Sequence, residues 1–237
     1  AGESATGGTH LAASLAEAKA YLDDHKNNDP NKYCRNKFAI VISDGADTYA
    51  CDGDGSETQS GMYMRRRESV AMAKRLADYG YKVFVIGFGE GLGATGRNTL
   101  EWMAYYGQTD NPNTANSGAT SAANTYTIPA TKDVLYPSGI SRCDSSTSAH
   151  DPGDNATYPL SGYAFFASDT VQLSAALKTA LTIIRESTYS FTQASVQSSR
   201  TADENYIYEA SFEPIQDDPF WRGHLKKFNI TSDGKVG

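Results

Sequence analysis

Phe38-Ala39-Ile40-Val41-Ile42-Ser43-Asp44-Gly45 is a continuous apolar run that ends on a carboxylate and a glycine. An apolar run without alternation is typical of a strand covered on both faces, as in a parallel sheet. Val83-Phe84-Val85-Ile86-Gly87-Phe88 repeats the pattern, and Ala164-Phe165-Phe166-Ala167 repeats it in shorter form. Helical patterns lie between these runs. Leu11, Leu15, Ala18 and Leu22 recur at helical spacing over 9–22, and Asn27-Asn28-Asp29-Pro30-Asn31 breaks the pattern. Val70, Ala73, Leu76 and Ala77 mark one side of a helix over 64–79, which Gly80 stops. A short helix over 99–106 ends at Gly107, and a longer one over 171–185 carries Leu173, Leu177, Leu181 and Ile184 in a stripe. Helices alternating with buried strands predict an α/β fold, with a parallel sheet and right-handed crossovers.

Two features interrupt that alternation. Residues 108–162 are poor in apolar side chains and rich in Asn, Thr, Ser, Gly and Ala. So long a structureless stretch is uncommon within a compact domain, which marks it as a functional insertion or a partly mobile one. After Ser187 the period changes to two. Tyr206-Ile207-Tyr208-Glu209-Ala210-Ser211-Phe212 and Leu225-Lys226-Lys227-Phe228-Asn229-Ile230 read as antiparallel strands, and Asp233-Gly234 as a hairpin turn. The chain is therefore divided at 186/187, with a β-rich segment over 187–237. Three strands make a thin sheet, and the Phe38 strand would stand at its border as a long apolar edge. Further strands are expected before Ala1.

A length of 237 residues suits one large domain, or one domain and part of another. The net charge of -7 gives no electrostatic case for nucleic acid or an anionic membrane. No apolar run approaches the roughly 20 residues of a spanning helix, and no signal peptide is visible. The first residue is Ala1 and not Met, which predicts a processed terminus or a fragment. Tyr is abundant and small polar residues crowd the loops, a composition common in secreted and cell-surface proteins. Cys34, Cys51 and Cys143 make an odd count, so an extracellular setting implies one disulfide with the third cysteine either paired to a segment outside this sequence or left as a free thiol. Cys51 and Cys143 both fall in polar loops and are the favoured pair. Cys34 precedes the strand that Cys51 follows, and a disulfide needs Cα atoms within about 7 Å.

Candidate site residues cluster around the first strand. Gly7-Gly8-Thr9-His10-Leu11 places a glycine-flanked hydroxyl at the opening of a helix, and Asp44 stands at the carboxyl end of a strand. In open α/β sheets ligands sit at that rim. Taken alone, Thr9 is a residue of an N-cap region and Asp44-Gly45 a turn. Asp52-Gly53-Asp54-Gly55-Ser56-Glu57 resembles the start of a calcium loop, with Asp52, Asp54, Ser56 and Glu57 as candidate ligands. It lacks the downstream bidentate Glu of an EF-hand, so a solvated acidic loop with at most weak Ca²⁺ binding is expected. Arg65-Arg66-Arg67 reads as a solvated helix face, with pairing to the acidic loop as the alternative. His10, His25, His150 and His224 have no paired metal spacing. No Ser/His/Asp or Cys/His arrangement and no phosphate loop is legible, so the chain is not read as an enzyme.

In order and spacing, the Gly7–Leu11 and Phe38–Gly45 segments resemble two of the three that hold a divalent cation in von Willebrand factor A domains. The third, an Asp-x-Ser-x-Ser turn after an apolar strand, is not found ahead of these two segments, and the pattern occurs only as Asp144-Ser145-Ser146-Thr147-Ser148 in the polar insertion. The resemblance implies a Rossmann-like sheet with helices on both faces, incomplete at the N-terminus, over 1–186. It implies Mg²⁺ or another divalent cation, with Thr9 supplying a hydroxyl and Asp44 a carboxylate, directly or through water. Tyr163-Ala164-Phe165-Phe166-Ala167-Ser168-Asp169 and Leu173-Ser174-Ala175-Ala176-Leu177 are similar to the last strand and helix of the A domain in PilY/PilC-type type IV pilus tip proteins. Tyr208-Glu209-Ala210-Ser211-Phe212-Glu213-Pro214 and Trp221-Arg222-Gly223-His224-Leu225-Lys226-Lys227-Phe228 resemble that family's lead-in to a carboxyl-terminal β-propeller. The likeness implies an extracellular protein at the cell surface, pilus tip or outer membrane. Its partners would be minor pilins, host or abiotic surface ligands and the remainder of its own chain, and its work pilus assembly and adhesion. The alternatives are a metal-free scaffold docking a β-propeller to minor pilins, and an A domain of a metal-dependent complex such as a chelatase.

Overall fold

The computed structural model describes residues 8–30, 32, 35–120, 143, 145, 146, 148 and 150–187, together with the strand segments 190–191, 195–196, 206–213 and 222–229. The chain forms two compact units, residues 1–30 with 37–180 and residues 31–36 with 181–237.

The first unit begins with α1 (Leu11–Asn28), β1 (Lys37–Ser43), α2 (Met62–Asp78), β2 (Tyr81–Phe88) and α3 (Ala94–Tyr106). Two short strands come next, β3 (Ser117–Gly118) and β4 (Leu160–Ser161), then β5 (Phe165–Ala167) and α4 (Thr170–Ser187). The unit is thus mixed α/β, with a small parallel sheet in the order β1-β2-β5 flanked by helices. Ala39 pairs with Val83, Val41 with Val85, and Ile86 with Phe165. The strand-helix alternation requires this arrangement, because parallel neighbours can be joined only by crossovers.

Burial depends on position in the sheet. In β2, the central strand, Val83, Phe84, Val85 and Ile86 are all 2% exposed or less. Val83 and Val85 join the core with Leu11 and Leu15 of α1, Val70, Ala73 and Leu76 of α2, and Trp102 and Met103 of α3. The expectation that β1 is covered on both faces is corrected. Residues 37–41 are only partly buried and Ile42 is 48% exposed. Among the described residues β1 has a neighbour on one side alone, so one row of its main-chain groups is left without a strand partner.

Helix ends are set by local chemistry. Gly80 adopts φ +90° after the last residues of α2, and its N–H bonds the Ala77 carbonyl, a left-handed stop that a side chain would strain. Gly107, after α3, serves a different need, since a Cβ there would lie 2.6 Å from the Val83 carbonyl oxygen. α3 starts five residues before the expected Thr99, so Arg97 and Asn98 are helical. The roots of the polar insertion are ordered. β3 and β4 pair antiparallel, and Asn111 donates from Nδ2 to the Ala164 carbonyl at 3.3 Å.

In the second unit β6 (Ser190–Phe191), β7 (Ser195–Val196), β8 (Tyr206–Glu213) and β9 (Arg222–Asn229) form an antiparallel sheet. β8 and β9 pair from Tyr206 with Asn229 to Glu213 with Arg222, in keeping with their period-two pattern. Asp233-Gly234 lies outside the described residues.

Candidate functional site

The carboxyl end of β1 turns sharply. The Ser43 hydroxyl donates to the Gly45 carbonyl at 2.8 Å and accepts the Gly45 N–H at 3.3 Å, a turn that leaves Asp44 exposed. Asp44 and Thr9 both line a groove of about 540 Å³ between α1 and β1, floored by apolar residues including Leu11, Leu15, Ala39 and Val41. Thr9 is not the cap of α1. The cap position is His10, which makes no capping bond through its side chain and stacks on Tyr49 with ring centroids 3.8 Å apart.

Asp47, which no sequence motif singles out, supplies the cap. Its carboxylate is 1% exposed. Oδ2 accepts the Ala12 N–H at 2.7 Å, and Oδ1 accepts the Tyr49 and Ala50 N–H groups at 2.8 and 2.7 Å. One carboxylate therefore meets the positive end of α1 and closes its own loop. Beside it the Thr48 N–H donates to the Thr9 carbonyl at 2.9 Å. Gly8 fits because a Cβ there would stand 2.0 Å from the Thr48 hydroxyl. The only local signal for Asp47 is an Asp-Thr pair shortly after a strand.

Thr9 and Asp44 thus stand at one rim, with Thr9 tied to the loop after β1 through Thr48. Neither the Thr9 hydroxyl nor the Asp44 carboxylate makes a hydrogen bond or ion pair with another described side chain. Both are hard oxygen donors of the kind Mg²⁺ prefers, and two such groups fall short of an octahedral shell, so water or further groups would complete it. Among the described residues no three His, Cys, Asp or Glu side chains gather as a metal cluster.

The acidic loop is organised by its own bonds. Asp54 Oδ1 accepts the Ser56 N–H at 2.8 Å, and the Asp54 N–H donates to Gln59 Oε1 at 2.9 Å. The Ser56 and Thr58 hydroxyls are 2.9 Å apart. Asp52 is exposed with φ +57°. Glu57 reaches back toward the rim, so that a Cβ on Gly45 would stand 2.8 Å from its Oε1.

The arginine run is not a solvated face, and that expectation is corrected. Arg67 is fully buried and Arg65 is 4% exposed. Arg66 makes a fork to Asp151, with Nε to Oδ1 at 2.8 Å and Nη2 to Oδ2 at 2.6 Å. Asp151 of the insertion thus meets Arg66, while Arg65 donates from Nη1 to the Ser60 carbonyl at 3.0 Å. Cys51 and Cys143 stand at disulfide distance, with sulfurs 2.13 Å and Cα atoms 5.3 Å apart. Cys34 lies outside the described residues.

A second cleft, of about 530 Å³, opens beside the first turns of α3. Asn98 and Glu101, one helical turn apart, grip the far end of the insertion. Asn98 donates to the Pro152 and Tyr158 carbonyls at 2.7 and 3.0 Å and accepts the Leu160 N–H at 2.9 Å. Glu101 accepts the N–H groups of Gly162, Tyr163 and Ala164 at 3.2, 2.7 and 2.8 Å. Burial pushes its carboxyl above the ordinary range, and those three bonds and the Arg97 charge offset the rise in part. Sequence periodicity does not mark these residues, because it starts the helix only at Thr99 and their partners lie some 60 positions away.

Fold and rim together define an α/β domain with two uncommitted oxygen donors at the carboxyl end of a parallel sheet. No family model matches the chain, and no curated protein or solved structure is similar to it. No described helix is long and apolar enough to cross a membrane.

Proposed function

We propose that this chain is the later part of a von Willebrand factor A-like domain with the start of a β-rich module, from an adhesin of the PilY/PilC type at the tip of a type IV pilus. The work proposed is binding and pilus assembly at the cell surface, and not catalysis. The observation that carries the reading is the meeting of Thr9 and Asp44 at one rim, both uncommitted among the described residues. Thr9 and Asp44 would hold Mg²⁺ or a similar cation, which would supply an electrophilic position for a ligand carboxylate. Thr48 ties down the Thr9 main chain, and the Ser43 hydroxyl sets the turn that presents Asp44.

Titration of the full chain with Mn²⁺ by calorimetry, before and after Asp44→Ala and Thr9→Ala, tests this. Each variant is expected to weaken binding by about tenfold or more, as loss of a charged or direct ligand should. Unchanged binding in Asp44→Ala would remove the cation mechanism. The metal-free scaffold would then take its place, a reading favoured by how fully the loop after β1 satisfies itself through Asp47, Asp54 and Gln59.

A further inference from the structure

The cleft beside α3 carries an exposed cation laid over an aromatic ring. Arg97 is exposed, and its guanidinium carbon lies 4.0 Å above the centre of the Phe166 ring. Stacking occupies the face of a guanidinium and leaves its in-plane N–H fork free to meet an acceptor. No described carboxylate pairs with it. The other charged group lining the cleft is Glu101, whose two oxygens are taken by three main-chain N–H groups. The mouth is polar, with Thr114, Asn155 and Ser161 all exposed.

We infer that this cleft is a binding site for a small hydroxylated carboxylate, a uronic-acid sugar, whose carboxylate is met by the Arg97 guanidinium and whose hydroxyls meet Thr114, Asn155 and Ser161. One fixed guanidinium matches one carboxylate in charge and in bidentate geometry. A phosphate dianion would call for a second cation, and none lines the cleft. An apolar acid would gain nothing from the hydroxyl and amide groups at the mouth, whose remaining donor and acceptor positions face solvent, and the Phe166 face is already covered by Arg97. A volume of about 530 Å³ lies within the range of small-ligand sites. The site is separate from the Thr9 and Asp44 rim and requires no metal.

The test is a titration of the full chain with glucuronate, monitored by NMR or calorimetry, with glucose and N-acetylglutamate as comparisons. Glucuronate is expected to bind in about the millimolar range, and glucose at least about tenfold more weakly. Arg97→Gln should lose about tenfold or more, with an unchanged circular dichroism spectrum because Arg97 is exposed. Arg97→Lys, which keeps the charge without the fork, should fall between the two. Absence of glucuronate binding, equal binding of glucose, or wild-type affinity in Arg97→Gln or Arg97→Lys would overturn the proposal. N-acetylglutamate binding as tightly as glucuronate would overturn the sugar assignment and point to an acidic peptide.

Discussion

Asp47 and Glu101 do the same work in different parts of the fold, each carboxylate gathering three main-chain N–H groups. Removing the first strips a helix of its cap and leaves buried donors unmet. Asp47→Ala is expected to cost about 2–4 kcal/mol in denaturant unfolding. Glu101 adds a dependence on pH. Its carboxyl is raised in the folded chain by burial, so the folded state holds the proton more tightly than the unfolded one. The stability it contributes is full below the unfolded value, near pH 4, and is lost as pH rises through the higher folded value. Glu101→Gln removes that dependence and, with one acceptor oxygen in place of two, loses at least one main-chain bond. Its destabilisation, about 1–3 kcal/mol at low pH, should therefore shrink as pH rises. Parallel melts of the two proteins across this range check the sign. Neither role was legible in the sequence, because the bonds that decide it, Asp47 to Ala12 and Glu101 to Gly162, Tyr163 and Ala164, join positions tens of residues apart. Thr9 and Asp44 stand out in the sequence because a residue at a helix start and one at a strand end advertise themselves locally.

Strands and helices were far more legible than single residues. β2 is buried on both faces, as its unbroken apolar run requires. β1 has the same kind of sequence and a different environment, since composition fixes what a strand can tolerate and sheet order fixes what it meets. Ile42 is the most exposed position of that edge. Ile42→Lys should leave stability within about 0.5 kcal/mol while lowering self-association on heating, measured by light scattering, because a charge on an open edge opposes intermolecular pairing. α2 shows the reverse case. Its arginines look solvent-facing by type, yet Asp151 and Gly153 meet Arg66, Ser60 accepts from Arg65, and Arg67 lies over the Tyr63 ring. Arg66→Ala leaves Asp151 with a charge and no fork at a site where both side chains are mostly buried. A loss of about 2–4 kcal/mol in thermal or denaturant unfolding is expected, and a loss under about 0.5 kcal/mol would show the pair to be ornamental.

At the scale of the molecule, the polar insertion departs and returns through anchored roots, and the Cys51–Cys143 link spans 92 residues of sequence. Closing so long a loop restricts the unfolded chain, so Cys51→Ser should lower stability by about 2–4 kcal/mol. Urea unfolding of the oxidised protein and of the variant would measure it. The insertion's apolar-poor composition was plain in the sequence, whereas its grip on α2 and α3 was not, because Asn98, Glu101 and Arg66 hold it through main-chain atoms and one aspartate. The borrowed cap has a consequence in time. α1 precedes Asp47 by 35 residues, from Ala12 to its partner. A chain still emerging from the ribosome makes the helix before it makes the group that stabilises the helix start, and most of a protein helix's stability comes from packing that is not yet there. A peptide of residues 8–28 should show weak helicity by circular dichroism, rising only when β1 and its loop are added. Synthesis and folding would then be out of step over this stretch, with α1 setting firm after the strand that comes behind it.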